Sequence, residues 1–254
     1  MIQFLTSKSA ILTSYLFAFI LLSACSQDTD SASSQQTSTN TDVPISTSAK
    51  KENFFSYLLP MIRQVNAGVL KQRDQLLSLE DDINDLSGSQ AKVLNVFSKT
   101  YRVDKSLPNK TKLEQLKIKI NSIPASLILA QAANESAWGT SRFAKEGNNF
   151  FGQWCFTEGC GLVPNKRPSG EIHEVARFDS PRDSIRSYVL NLNNHPSYQL
   201  LRTLRTQAID NGQPITGELL AGGLIEYSAR KEEYVKEIQS MIRFNKLERF
   251  NLQK

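Results

Sequence analysis

The chain has 254 residues, a formal net charge of +5, 40% apolar residues and 22% charged residues. That balance excludes a mostly disordered chain, and only 9 prolines and 12 glycines exclude a collagen-like or linker-dominated architecture. Three cysteines cannot all pair within one chain, so one of them needs a separate role.

At the N-terminus, Lys8 precedes the apolar run Ile11 to Leu22, which ends at small residues before Cys25. The run falls short of the roughly 20 apolar residues of a comfortable membrane span and has the order of a secretory signal. Leu22-Ser23-Ala24-Cys25 resembles the lipobox of bacterial lipoproteins. The resemblance implies that residues 1–24 are removed and that Cys25 is diacylated, which holds the chain on a bilayer. A plain signal peptide with an incidental Cys25 is the alternative. Ser26, in place of an acidic residue, favours the outer membrane by the same resemblance, so the expected location is the periplasmic face of the envelope. Twelve of the 25 residues in 26–50 are Ser or Thr and none is aromatic. Such a stretch buries too little surface to offset its ordering entropy, so 25–50 reads as the lipidated Cys and a disordered tether. Residues 1–50 hold two lysines and three aspartates, which leaves about +6 on residues 51–254. That field suits anionic partners such as peptidoglycan carboxylates, or serves solubility alone; no basic stripe points to nucleic acid.

Residues 51–110 read as an N-terminal helical extension. Phe54, Phe55, Leu58, Leu59, Ile62, Val65 and Val69 follow the spacing of an amphipathic helix, in which Pro60 should start a new helix or kink this one. Ser89 begins the pattern Val93-Leu94-Val96-Phe97, which ends near Tyr101, and Lys105 to Asn109 form a loop. Nothing here has recognisable chemistry, so its role is structural or positioning. Thr111-Lys112-Leu113-Glu114 is a capping-box pattern that starts a helix through about Ile120. Pro124 then sits at the first turn of a helix to about Trp138 that is apolar nearly all round, the mark of a central buried helix. Gln131, Asn134 and Glu135 stack on one side near its end. A buried helix end beside Trp138 disfavours a charged carboxylate, which suits a general acid; a Glu projecting into solvent from a frayed end fits the pattern equally.

Ile123 to Ser141, around Asn134-Glu135-Ser136-Ala137-Trp138-Gly139, resembles the core motif of the bacterial glucosaminidase domain, glycoside hydrolase family 73. Gly147-Asn148-Asn149-Phe150-Phe151-Gly152-Gln153-Trp154 resembles its second motif. Arg177 to Ser184 with Tyr188, Asn191-Leu192 and His195-Pro196-Ser197-Tyr198 resembles its third, and Tyr227-Ser228 with Glu233-Tyr234-Val235 its closing motif. Within the family, the Trp154-Cys155 to Cys160-Pro164 segment and the extra N-terminal helices look most like the Bax-type proteins. The resemblance implies an α+β, predominantly helical, lysozyme-like fold over 111–254, with a small β-hairpin lobe. It also implies hydrolysis of the β-1,4 bond between N-acetylglucosamine and N-acetylmuramic acid, with Glu135 as general acid.

Members of the family usually carry a second Glu in the hairpin, where this sequence reads Leu162-Val163-Pro164-Asn165. In a strand from Glu171 to Phe178, Glu174 shares a face with Ile172, Ala176 and Phe178, so it is the candidate second catalytic group. Without it, neutral groups would position water or the substrate's 2-acetamido oxygen would attack; attack by the sugar's 6-hydroxyl would make a lytic transglycosylase. A catalytically idle peptidoglycan-binding lipoprotein is the remaining alternative. Sugar rings suit aromatic walls with amide partners, which makes Gln131, Trp138, Asn149, Phe150, Gln153, Tyr188, Tyr198 and Tyr227 the binding candidates. In an oxidising compartment Cys155 and Cys160 are expected to form a disulfide. A zinc site needs four ligands and no Cys or His partners lie nearby, so neither metal nor cofactor is expected.

Overall fold

The computed structural model describes residues 46–251. The signal, Cys25 and most of the tether lie outside the described residues. Helix α1 spans Thr47–Leu77, with the Ser46 side chain accepting from the Ala49 amide as its N-cap. The last four residues assigned to the tether are therefore helical. Pro60 neither ends α1 nor starts a new helix. Pro60 and Ser56, whose carbonyl loses its helical partner there, face solvent, while Phe55, Leu58 and Ile62 hold the other face in the core.

Helix α2, Gly88–Thr100, starts from a capping box of Ser87 and Gln90 and buries Leu94 and Phe97, whereas Val96 is exposed. Helix α3, Asn109–Lys119, begins two residues before the Thr111 signal, with Pro108 at its N-cap and no capping box. Proline there already has a backbone suited to entering a helix, so no side-chain cap is used. Helix α4, Ala125–Glu135, is buried at every position from Ala125 to Ala133, as its unbroken apolar sequence requires. Full burial of Leu127, Ile128 and Leu129 contributes about 1.5–3 kcal/mol each.

Beyond the short α5, Arg142–Gly147, three strands pair antiparallel: β1 Trp154–Cys155, β2 Gly161–Leu162 and β3 Glu174–Ala176, with β3 in the middle. A Cβ on Gly161 would lie 2.0 Å from the Val175 carbonyl oxygen, so β2 approaches β3 closely because that residue is glycine. Four more helices complete the body: α6 Pro181–Asn194, α7 Gln199–Asp210, α8 Gly217–Ala221 and α9 Glu232–Phe244. Helices α1, α8 and α9 and the closing 3-10 turn Leu247–Phe250 pack around α4. The chain is thus α+β and predominantly helical, with a helical body and a small sheet lobe, as the lysozyme-like class requires.

The junction leading into α4 depends on two arginines. Arg205 of α7 is 1% exposed and donates to the carbonyls of Ile118 (2.8 Å) and Lys119 (3.4 Å) and to Asn193 Oδ1 (2.8 Å). Arg73 of α1 donates to the carbonyls of Lys117 (2.6 Å) and Ile120 (2.9 Å). Together they satisfy the carbonyls that α3 leaves open at its C-terminus, where positive charge is favoured. Burial lowers the pKa of Arg205, reinforced by Arg202 and Arg73. Arg205→Ala leaves buried carbonyls unpaired at about 1–3 kcal/mol each. Urea denaturation should show a loss of about 3 kcal/mol or more, with Arg205→Lys recovering only part; a loss below about 1 kcal/mol would contradict this role.

Candidate active site

Glu135 is the last residue of α4 and is partly exposed. Its Oε1 accepts from the Tyr234 hydroxyl at 2.6 Å and from Asn134 Nδ2 at 3.3 Å. Tyr234 lies on the buried face of α9 with Val235, Ile238 and Ile242. Its own hydroxyl accepts from Gln131 Nε2 at 2.9 Å, and Gln131 Oε1 accepts from the Tyr188 hydroxyl of α6. Every donor in this chain points toward Glu135, so each bond polarises the next and the carboxyl group is the terminal acceptor. Among the described residues, Glu135 Oε2 has no protein partner.

The chain leaves α4 abruptly. Ala137, Trp138 and Gly139 follow one another with φ of 50°, 59° and 76°. A left-handed conformation costs a non-glycine residue about 1–2 kcal/mol. Ser136 holds the turn, because its hydroxyl donates to the Ala132 carbonyl (2.6 Å) and accepts from the Gly139 amide (2.7 Å). The helix expected to run to Trp138 therefore stops at Glu135, and the acid sits at an open end rather than against a further turn.

Tyrosines wall the site. Tyr227 stacks on Tyr234 with centroids 5.3 Å apart and planes 4° apart, and Tyr198 lies 6.1 Å from Tyr227. Tyr227 is partly exposed and donates to the Phe151 carbonyl at 2.9 Å. Phe151 in turn stacks on Tyr188 at 4.0 Å.

Several residues expected to touch sugar are instead internal. Gln131 (0% exposed), Asn149 (1%), Phe150 (5%) and Tyr188 (1%) are closed off from solvent. Gln131 and Tyr188 are spent on the chain to Glu135. Asn149 donates to the carbonyls of Gln153 (2.9 Å) and Ala176 (2.8 Å) and accepts from the amides of Phe151 (3.2 Å) and Gln153 (3.1 Å), tying its loop to the sheet lobe. The Gln153 amide, in the orientation that satisfies its neighbours, bonds the Ser184 carbonyl, the Ser187 hydroxyl and the Tyr188 amide of α6. Trp138 packs edge-on against Phe54 (5.7 Å) and Phe55 (5.6 Å) of α1, and Phe150 lies 6.4 Å from Phe54. Tyr198, at 7% exposure, is closed off as well, which leaves the more open Tyr227 beside Glu135.

Glu174 is buried as expected, but onto the disulfide loop. Its two carboxylate oxygens accept from the amides of Gly159 (3.0 Å) and Gly161 (2.7 Å), which lowers its pKa. Cys155 and Cys160 are joined by a disulfide with Cα atoms 6.2 Å apart, and Glu174 is registered opposite Cys155. The carboxylate organises this loop, and the shared face with Ile172 is lost because Ile172 lies outside the strand, 64% exposed. Cys155, Cys160 and Glu174 bring ligand atoms within 4.8 Å, but two sulfurs bonded to each other are not a metal donor set.

Tyr234 is the site residue that the motif reading left without a role. A signal for it exists: it is a phenol on the apolar stripe of an amphipathic helix, and a buried phenol needs a partner.

The tyrosines also impose a pH limit. Burial, and then the charge of Glu135, raise the pKa of Tyr234; burial first raises Tyr188 and Tyr227 too, and pushes Tyr101 and Tyr198 up to about 12. The unfolded phenols titrate near 10. The stability they contribute is complete below about pH 10 and is lost as pH rises through the folded values. Thermal melts should show a falling Tm between about pH 10 and 12, with absorbance at 295 nm reporting phenolate from these five tyrosines only as the protein unfolds. Full phenolate absorbance on a still-folded protein at pH 11 would contradict this.

A family model described as glucosaminidase, mannosyl-glycoprotein endo-beta-N-acetylglucosaminidase, matches residues 111–247. Protein bax of Escherichia coli (strain K12) is 30% identical over 201 residues, which cover 77% of this chain and 70% of that protein. The solved catalytic domain of the autolysin Auto from Listeria monocytogenes aligns with a TM-score of 0.39 and 20% identity, covering 69% of this chain and 96% of that one.

Proposed function

The chain belongs to the glucosaminidase family, and from that premise we propose that it is a peptidoglycan hydrolase cleaving the β-1,4 bond between N-acetylglucosamine and N-acetylmuramic acid. The observation that carries this reading is the carboxyl group of Glu135, held on one oxygen by Tyr234 and open on the other. Oε2 donates its proton to the glycosidic oxygen as the bond to the anomeric carbon breaks, and Tyr234 stabilises the carboxylate that forms. Tyr227, the partly exposed tyrosine of the wall, offers an apolar face against which a sugar ring packs.

Glu174 is committed to the Gly159 and Gly161 amides, which supports an attacking group from a neutral source over this carboxylate. Water held by neutral groups and the substrate's own 2-acetamido oxygen both meet that requirement. The same commitment favours a second reading, in which the muramic 6-hydroxyl attacks and the enzyme acts as a lytic transglycosylase. The proposed placement at the envelope rests on the sequence alone: the lipobox-like Leu22 to Cys25 supports a lipid anchor on the periplasmic side, probed by labelling with a fatty acid in cells and its loss in Cys25→Ala.

Full-length protein incubated with purified peptidoglycan should release fragments with new reducing N-acetylglucosamine ends in mass spectra. Glu135→Gln should lower that rate by about 10²–10⁴-fold. Anhydro-muramic ends would select the transglycosylase reading, and no products from the wild-type protein would overturn the enzyme assignment.

A further inference from the structure

A cavity of about 530 Å³ lies between α1 and the left-handed turn that follows Glu135. Its size falls in the range of small-molecule and peptide side-chain pockets. One wall is the turn 137–140 with Trp138 and Phe150, and the other is the first three turns of α1, with Lys50, Lys51, Phe54 and Tyr57. The α1 wall lies outside the family-matched residues 111–247, so it is an addition to the glucosaminidase domain.

The lining is aromatic and cationic and contains no acidic residue. Lys51 Nζ sits 4.8 Å over the Trp138 ring and 5.0 Å over Phe244, and donates to Asn245 Oδ1 at 3.1 Å. Among the described residues no carboxylate pairs with it, which leaves the ammonium charge without an acidic partner. Lys50 is exposed, and Tyr57 is 55% exposed, as a flat apolar surface at the rim. One ammonium over aromatic rings and a second, exposed one beside it match a ligand with a carboxylate and an apolar or aliphatic body.

We propose that this cavity is an accessory subsite for a carboxylate-bearing peptide, namely the stem peptide carried by the glycan, an assignment that rests on the peptidoglycan reading above. Lys50 and Lys51 take the peptide carboxylates, while Trp138 and Tyr57 pack on the aliphatic part. Trp138 is three residues from Glu135, so the chain itself limits the separation of their Cα atoms to about 11 Å. The α1 extension thereby gives the enzyme a hold on the peptide, next to the hold on the sugar.

The chain has two tryptophans, so in full-length Trp154→Phe protein the emission reports Trp138 alone. Titration with a free stem tetrapeptide should change that emission saturably. The same peptide amidated at its carboxylates, or a Lys50→Glu/Lys51→Glu variant with the free peptide, should bind at least tenfold more weakly. Equal affinity for the free and amidated peptides overturns the proposal without reliance on any variant's folding. So does absence of binding, including the case where deleting residues 1–45 restores it, which would make the N-terminal segment the occupant. A response to anionic vesicles but not to peptide would assign the site to lipid and overturn it as well. The titration requires no turnover: peptide binding without glycan cleavage would refute the hydrolase reading and leave an acidic-peptide site standing.

Discussion

A carboxyl group at the last position of a buried helix must find a donor, and in this molecule the donor is a phenol 2.6 Å away. Tyr234 comes from α9, Gln131 from α4 itself and Tyr188 from α6, so one chain of hydrogen bonds draws three helices to a common point. Leaving a buried member of such a chain unpaired costs about 1–3 kcal/mol, which makes the relative placement of those helices sensitive to single atoms. The function of the site and the packing of the body thus rest on the same bonds.

The turn after Glu135 shows how the rest of the fold serves that point. Ala137 and Trp138 occupy left-handed conformations that alanine and tryptophan rarely adopt. Ser136 ties the turn from inside, and Phe54 and Phe55 of α1 grip the Trp138 ring from outside. The N-terminal helix therefore acts on the site by packing. Strain held beside a reactive group by surrounding structure is a recurrent feature of functional sites.

Much of this is legible in the sequence, because it depends on local pattern. The apolar run from Leu127 to Ala133 announces a buried helix, and Glu135 stands out as the acid at its end. Burial of Gln131, Asn149 and Tyr188 is not legible, because amides and phenols are as suited to sugars as to internal bonds. Which use prevails depends on partners more than fifty residues away in sequence for Gln131 and Tyr188. Glu174 shows the same limit. Period-two alternation turns it inward, but the strand is only three residues long, and the disulfide loop supplies two amides that claim its carboxylate. The passage of α1 through Pro60 was decided by tertiary packing over the local signal, whereas α3 starts early because Pro108 supplies its own entry to the helix.

The central claim is that Tyr234 sets the acid in place without itself binding substrate. Steady-state kinetics of Tyr234→Phe on peptidoglycan fragments tests it most directly, since the ring and its stack with Tyr227 are retained and only the hydroxyl is lost. Loss of a charge-assisted hydrogen bond to the reacting carboxyl predicts a kcat lower by about tenfold or more, with KM within about twofold of wild type. An unchanged kcat, or a change confined to KM, would contradict the account.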